Sequence, residues 1–76
     1  MKVRITKRHI AEGMRSNARH CPIALALNDR FGGRSCIGGD VTVAEVTHTL
    51  TNAATGFIRD FDAGRPVSPG WLTVWE

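Results

Sequence analysis

His20 and Cys21 are adjacent and have the side-chain types of a general base and a nucleophile. Neighbours in sequence rarely point at each other usefully, and the sequence offers no third residue to orient the histidine. Cys21 also precedes Pro22, and proline is favoured at the first position of a helix, so we expect the cysteine to cap or pack against a helix. The sequence therefore predicts no catalytic residues and a protein that is not an enzyme.

Histidine and cysteine are also the commonest zinc ligands, and the chain contains His9, His20, His48, Cys21 and Cys36. Their spacing includes no Cys-x-x-Cys or His-x-x-x-His pair, the patterns that bring ligands to one metal ion. We therefore predict neither a metal site nor a cofactor. We expect the two cysteines to be free thiols, as in a reducing compartment.

A loop of cationic and hydrogen-bonding residues leads into the helix that follows Cys21. Free backbone N–H groups and the positive end of a helix dipole favour an anion at such a point, and arginine adds bidentate contacts to phosphate. The predicted anion- or nucleotide-binding residues are Arg15, Ser16, Asn17, Arg19 and His20. A solvent-exposed cap loop would contain the same residues, and the lack of a glycine-rich phosphate loop favours that simpler interpretation.

Asp60 and Asp62 are the two carboxylates closest in sequence. Residues two apart on a helix do not share a face, so we do not expect them to form a general acid–base pair. Asp62 is instead expected to accept a hydrogen bond from the following turn or to pair with Arg65. Gly64 and Pro66 mark this segment as the end of a helix.

Charge is distributed unevenly along the chain. Ten Lys and Arg stand against seven Asp and Glu, a net charge of +3, yet residues 1–34 carry +6 and residues 35–76 carry −3. The basic half favours an anionic partner, which could be nucleic acid, a phosphorylated small molecule or an acidic protein surface. The small overall charge argues against strong non-specific binding of nucleic acid.

Alternation and turn residues predict an α+β fold in a single domain, residues 1–76, which is too short for an enzyme fold with a separate cofactor domain. The predicted strands lie at 2–5, 34–37, 41–43, 46–50 and 71–75. The predicted helices begin after Thr6, at Pro22, and after Thr51 or Asn52, and they end at Gly13, Gly32–Gly33 and Ala63–Gly64. The expected architecture is a small two-layer domain, with a mostly antiparallel sheet and two to three helices packed on one face.

The first and last strands predict one binding surface. Lys2 and Arg4 share a strand face, as do Trp71 and Trp75. If these strands are neighbours, the four residues form a basic and aromatic surface, to which Arg8 adds a further partner contact. Cations beside stacking rings are typical of single-stranded nucleic-acid binding. Trp and Arg are equally typical of protein–protein interfaces.

The first five residues form a charged strand pattern without the apolar segment of a secretory signal. No apolar run approaches the ~20 residues of a membrane span. We therefore expect a cytoplasmic protein without a membrane partner.

Three segments resemble a group of small uncharacterised bacteriophage proteins: Lys2-Val-Arg-Ile-Thr6 with His9-Ile10 and Gly13, Cys21-Pro-Ile-Ala-Leu-Ala-Leu27, and Phe57-Ile-Arg-Asp-Phe-Asp-Ala-Gly-Arg-Pro-Val67. The resemblance follows the same order along nearly the whole chain, although the closing strand with Trp71 and Trp75 departs from the pattern. It implies a phage accessory protein that acts in the cytoplasm of the infected bacterium. Small phage proteins of that kind are often inhibitors of host defence, anti-CRISPR proteins among them. The resemblance assigns no functional residue.

Three functions stay open on the sequence. The leading hypothesis is a phage-encoded protein that inhibits or modulates a host defence protein or complex by direct non-covalent binding through the basic and aromatic surface. The alternatives are sequestration of a nucleotide signal by the cationic loop and binding of single-stranded nucleic acid. A short chain forms a deep pocket more easily between subunits, so the nucleotide hypothesis predicts a homo-oligomer, in the simplest case a homodimer.

Overall fold

Three helices and five strands make up residues 1–32 and 35–76, the part of the chain that the computed structural model describes. The strands are β1 (Lys2–Ile5), β2 (Ser35–Ile37), β3 (Asp40–Val43), β4 (Val46–Thr49) and β5 (Gly70–Thr73), and the helices are α1 (Lys7–Glu12), α2 (Pro22–Phe31) and α3 (Asn52–Asp62). The fold class is α+β, as predicted. The predicted strand residue Arg34 and the predicted helix end at Gly33 lie outside the described residues.

Each helix begins at a capping residue that the sequence indicates. The side chains of Thr6, Cys21 and Thr51 each accept the backbone N–H three residues further along the chain. Such caps satisfy donors that the first turn of a helix leaves unpaired. Helix α2 ends at Gly32, whose left-handed φ of 65° suits glycine. No helix in the described part of the chain combines the length and the apolar character needed to cross a membrane.

The strands form two antiparallel sheets instead of the single sheet that was predicted. β1 pairs with β5, and β2, β3 and β4 form a three-stranded meander. The outer edge of β2 is not open to β1, because Ile37 N–H donates to the carbonyl oxygen of Ala18 at 2.8 Å. The loop between α1 and α2 therefore covers that edge. The antiparallel pairing itself is confirmed.

Helix α2 joins the two sheets into one core. It packs against both β1 and β2, and Ile23, Ala24 and Leu27 have no exposed surface. This helix is therefore buried on more than one side. Burial of a side chain such as Leu27 contributes roughly 1.5–3 kcal/mol to folding. Helix α1 packs on α2, and α3 packs on β5, with Ala54 and Phe61 of α3 buried.

Gly13 ends α1 and allows α2 to start close beside it. A Cβ at this position would lie 2.8 Å from the Cγ and Cδ of Pro22 and 2.9 Å from the carbonyl oxygen of His9. Both distances are shorter than van der Waals contact, so a larger residue would push the two helices apart.

Strand β5 ends at Thr73, two residues earlier than predicted. The register pairs Thr73 with Lys2, near the start of β1. Two more hydrogen bonds follow, from Val74 N–H to the carbonyl oxygen of Met1 at 2.8 Å and from the amino terminus of Met1 to the carbonyl oxygen of Trp75. Trp75 therefore lies beyond the end of β5, but its carbonyl oxygen is still bonded to Met1.

Thr51 connects α3 to β5 in addition to capping the helix. Its backbone N–H donates to the carbonyl oxygen of Val74 at 2.9 Å, and its hydroxyl donates to the carbonyl oxygen of Thr73 at 2.6 Å. We expect Thr51→Ala to lower the free energy of unfolding by about 1–2 kcal/mol, because the cap and the strand contact are lost together. Thr51→Ser keeps the hydroxyl and should recover most of the loss. Urea unfolding of the three proteins measures the effect, and equal stability of Thr51→Ala and wild type would contradict it.

Candidate functional site

The outer face of the β1–β5 sheet carries three of the five predicted partner-binding residues. The register sets Arg4 directly opposite Trp71, and Lys2 opposite Thr73. Trp71 is 70% exposed, and Lys2 and Arg4 are exposed beside it. Neither cation forms an ion pair with any described residue. We call Lys2, Arg4, Trp71 and Thr73 the basic sheet face.

The helices cover the opposite side of this sheet. Val3 and Ile5 alternate with the cations along β1 and are buried in the core. Leu72, next to Trp71, is half-buried against the same core. The alternation predicted from the sequence is therefore confirmed for β1 and for Trp71.

Trp75 and Arg8, the other two predicted partner-binding residues, have intramolecular partners. The Trp75 ring stacks on His48, with centroids 4.1 Å apart and 8° between the planes, and it packs against the core. Arg8 forms ion pairs with Asp29 and, at 3.5 Å, with Glu12. The two tryptophans therefore do not form one exposed surface, because the Trp75 ring is covered by His48 and the core whereas Trp71 is exposed.

Asn17 holds the loop between α1 and α2 in shape. Its Oδ1 accepts the backbone N–H of Arg19 at 3.1 Å and that of His20 at 3.2 Å. The same oxygen lies 3.2 Å from the Nδ1 atom of His20. The acceptor of Asn17 is thus used within the loop, where this residue positions its neighbours, and its amide nitrogen lies 4.0 Å from the sulfur of Met14.

Ser16 and Arg15, in the loop between α1 and α2, contact the end of α3. The backbone N–H of Ser16 donates to Asp62 Oδ1 at 2.8 Å, and the guanidinium of Arg15 lies over Gly64. The five residues predicted as one anion site are therefore divided. Arg15 and Ser16 contact α3, Asn17 supports the loop, and Arg19 and His20 face another part of the molecule.

The acceptor role of Asp62 differs from the prediction. Its partner is Ser16, distant in sequence, and not the turn that follows the helix. Arg65 pairs with Asp60, at 2.8 Å between Nε and Oδ1. The predicted pairing of Asp62 with Arg65 is wrong, since Asp62 turns toward the loop before α2.

A cleft of about 800 Å³ lies between this loop, helix α2 and the β2–β3–β4 meander. The hydrogen bond from Ile37 to Ala18 fixes the loop against β2, so the loop residues after Ala18 form one wall. The polar residues of the lining are Arg19, His20, Asn28, Ser35, Thr42 and Glu45, with the Cys36 thiol among them. We call this the β2 cleft.

Two buried polar atoms of the β2 cleft have no hydrogen-bond partner among the described residues: Ser35 Oγ and Asn28 Oδ1. Ser35 is 3% exposed. Buried polar atoms nearly always have a partner in the protein or in bound water, and leaving one unpaired costs about 1–3 kcal/mol. This pair of atoms distinguishes the cleft from an ordinary surface hollow.

His9 and Asp29 form a pair that was not predicted from the sequence. His9 is 3% exposed, and its Nε2 lies 2.6 Å from Asp29 Oδ2. Its Nδ1 accepts the backbone N–H of Thr6 at 3.0 Å, so Nδ1 carries no proton and Nε2 is the donor. The nitrogen that a catalytic base would present to a nucleophile is therefore occupied. The pair links α1 to α2, and the only sequence signal was the capping-box spacing from Thr6 to His9, where Glu or Gln is usual.

The hydrogen bond from His9, supported by the Arg8 guanidinium, holds the pKa of Asp29 below its ordinary value. The ionised carboxylate therefore stabilises the fold above the ordinary Asp pKa, and this contribution is lost as the pH falls through the lowered value. We expect Asp29→Asn to lower Tm at neutral pH, with a difference from wild type that shrinks as the pH falls from neutral through the lowered pKa of Asp29. Thermal melts across this range measure it, and a pH-independent difference would contradict the ionic role.

The two cysteines have different environments. Burial raises the pKa of the Cys21 thiol, and its Sγ accepts the N–H of Ala24 at 3.4 Å, which confirms the predicted capping role. Cys36 is half-buried on the wall of the β2 cleft. Among the described residues, no group of three His, Cys, Asp or Glu is placed to hold a metal ion.

Iodoacetamide should therefore distinguish the thiols. At neutral pH we expect Cys36 of the folded protein to be alkylated and Cys21 to be spared, because Cys21 is buried and protonated. Both should react in urea. Peptide mass spectrometry reads out the two sites, and alkylation of Cys21 as fast as Cys36 in the folded state would contradict the assignment.

No protein-family model, curated protein or solved structure matches the chain. The resemblance to small bacteriophage proteins therefore stays a prediction. The features of the molecule that bear on its function are the basic sheet face and the β2 cleft.

Proposed function

We propose that this protein acts by non-covalent binding of a partner protein through the basic sheet face. The observation that carries the proposal is Trp71, which is 70% exposed and directly opposite Arg4. Burying a large apolar side chain is favourable by roughly 1.5–3 kcal/mol. Because Trp71 is exposed, this free energy can stabilise a complex with a partner. Trp and Arg are also the residues most enriched among interface hot spots.

The chemistry of the face indicates an acidic partner surface with an apolar pocket. Lys2 and Arg4 are cations without ion pairs to the described residues, and arginine binds carboxylates in a bidentate manner. The Trp71 ring requires an apolar pocket to bury its faces. Val3 and Ile5 anchor β1 in the core. The backbone of this face therefore loses little conformational entropy on binding.

The sequence resemblance suggests the biological setting of the proposal. In that setting the protein is a phage-encoded accessory protein in the cytoplasm of an infected bacterium. Its partner is a host protein or complex, such as a defence component, and binding inhibits or modulates that partner. The protein then acts by occupying a surface and not as an enzyme.

Single-stranded nucleic acid is the second candidate ligand for this face. Trp71 can stack on a base, and Lys2 and Arg4 can contact phosphates. A strand-binding site usually stacks successive bases on several rings, but Trp75, the second ring expected here, stacks on His48. This difference favours a protein partner.

Trp71→Ala and Arg4→Ala should each weaken partner binding by about 2 kcal/mol, roughly thirtyfold in Kd, as expected for interface hot spots. Because both side chains are exposed, each variant should keep its stability within about 0.5 kcal/mol of wild type. The partner is first captured from a bacterial host lysate on immobilised protein. Its affinity for the purified variants is then measured by biolayer interferometry.

Val46→Ala and Arg59→Ala are the matched controls. Val46 is 55% exposed on β4 and Arg59 is exposed on α3, so both lie off the basic sheet face. The controls should bind as wild type does. Full binding by Trp71→Ala, or equal weakening by the controls, would overturn the proposal. Tight binding of an oligothymidine that falls steeply with salt would favour nucleic acid instead.

A further inference from the structure

The β2 cleft has the size and the wall of a small-molecule site. Its volume of about 800 Å³ lies within the range of roughly 300–1,000 Å³ that is typical of ligand pockets. Its walls come from one loop, one helix and two strands that are held together by the core. The backbone of the walls is therefore held in place by the core.

The two unpaired buried atoms, Asn28 Oδ1 and Ser35 Oγ, determine which hydrogen-bonding groups a ligand must have. Asn28 Oδ1 can only accept a hydrogen bond, so its missing partner is a donor. Ser35 Oγ can donate or accept, so a hydroxyl group would satisfy it. Asn28 is on α2 and Ser35 is on β2, and these elements pack directly on each other. The two atoms are therefore fixed relative to one another.

The loop wall favours an anion. Arg19 supplies a guanidinium that can bind phosphate in a bidentate manner, and His20 supplies a ring nitrogen beside it. Asn17 holds the backbone of both residues in place. Glu45 adds a negative charge to the lining, which disfavours a second or third phosphate.

We infer that the β2 cleft binds a nucleoside monophosphate. The phosphate lies against Arg19 and His20, an N–H of the base donates to Asn28 Oδ1, and a ribose hydroxyl satisfies Ser35 Oγ. This site shares no residue with the basic sheet face. Its success or failure is therefore independent of the proposed protein-binding function.

Isothermal titration calorimetry with AMP, GMP, CMP and UMP tests the inference, with adenosine and inorganic phosphate as partial ligands. At least one monophosphate should bind with a Kd below about 1 mM. The partial ligands should bind at least about tenfold more weakly, because each leaves part of the wall unpaired. Arg19→Gln, Ser35→Ala and Asn28→Leu should each weaken binding about tenfold, and Arg59→Gln, off the cleft, should not change it.

Ser35→Ala also separates a ligand contact from a structural role. Because Ser35 Oγ has no partner among the described residues, its removal should not lower the Tm of the free protein. The rise in Tm that the monophosphate produces in wild type should shrink or disappear in the variant. A lowered Tm of the free variant with an unchanged ligand-induced rise would show that Ser35 is structural and would overturn the inference.

Alkylation of Cys36 gives a readout inside the cleft itself. Iodoacetamide is neutral and does not compete for Arg19. A bound monophosphate should slow the reaction at Cys36 about tenfold when its concentration is ten times Kd. No binding of any of the four monophosphates at about 10 mM, or binding that leaves Cys36 alkylation unchanged, would overturn the inference. Equal binding of inorganic phosphate alone would do the same, since the cleft would then recognise an anion only.

Discussion

The burial of α2 between two small sheets is the interaction on which the rest of the structure depends. A two-stranded ribbon such as β1–β5 is marginal in water by itself, and so is a meander of three- and four-residue strands. Ile23, Ala24 and Leu27 give both sheets a common apolar surface. Because α2 contacts both sheets, it holds them in one arrangement. The positions of the basic sheet face and of the β2 cleft therefore depend on that helix.

Polar residues near the C-terminal end of α2 contact two further parts of the molecule. Asn28 faces the β2 cleft, and the next residue, Asp29, contacts His9 and Arg8 on α1. Two adjacent residues of one helix thus have different roles: Asn28 lines the β2 cleft, and Asp29 links α2 to α1. On the far side of the core, β1 presents its cations outward because Val3 and Ile5 pack inward.

Local patterns predicted the elements well, because their causes are local. The Cys21–Pro22 start, the capping threonines and the alternation in β1 all act over a few residues. The division into two sheets could not be predicted in the same way, since it depends on Ile37 bonding to Ala18 across the fold. The β2 cleft was missed for the same reason. Arg19 and His20 were grouped with their sequence neighbours, whereas the fold separates them from Arg15 and joins them to Ser35.

The pairing of β1 with β5 has a consequence for how the chain comes to be folded. Lys2 is paired with Thr73, so the contact that completes the core joins segments almost as far apart as the chain allows. Closing such a long loop is entropically costly, and it comes late in folding. While the ribosome is making the intervening residues, β1 has no partner strand, and its unpaired edge stays accessible to chaperones. Folding is therefore completed only after β5 has left the exit tunnel.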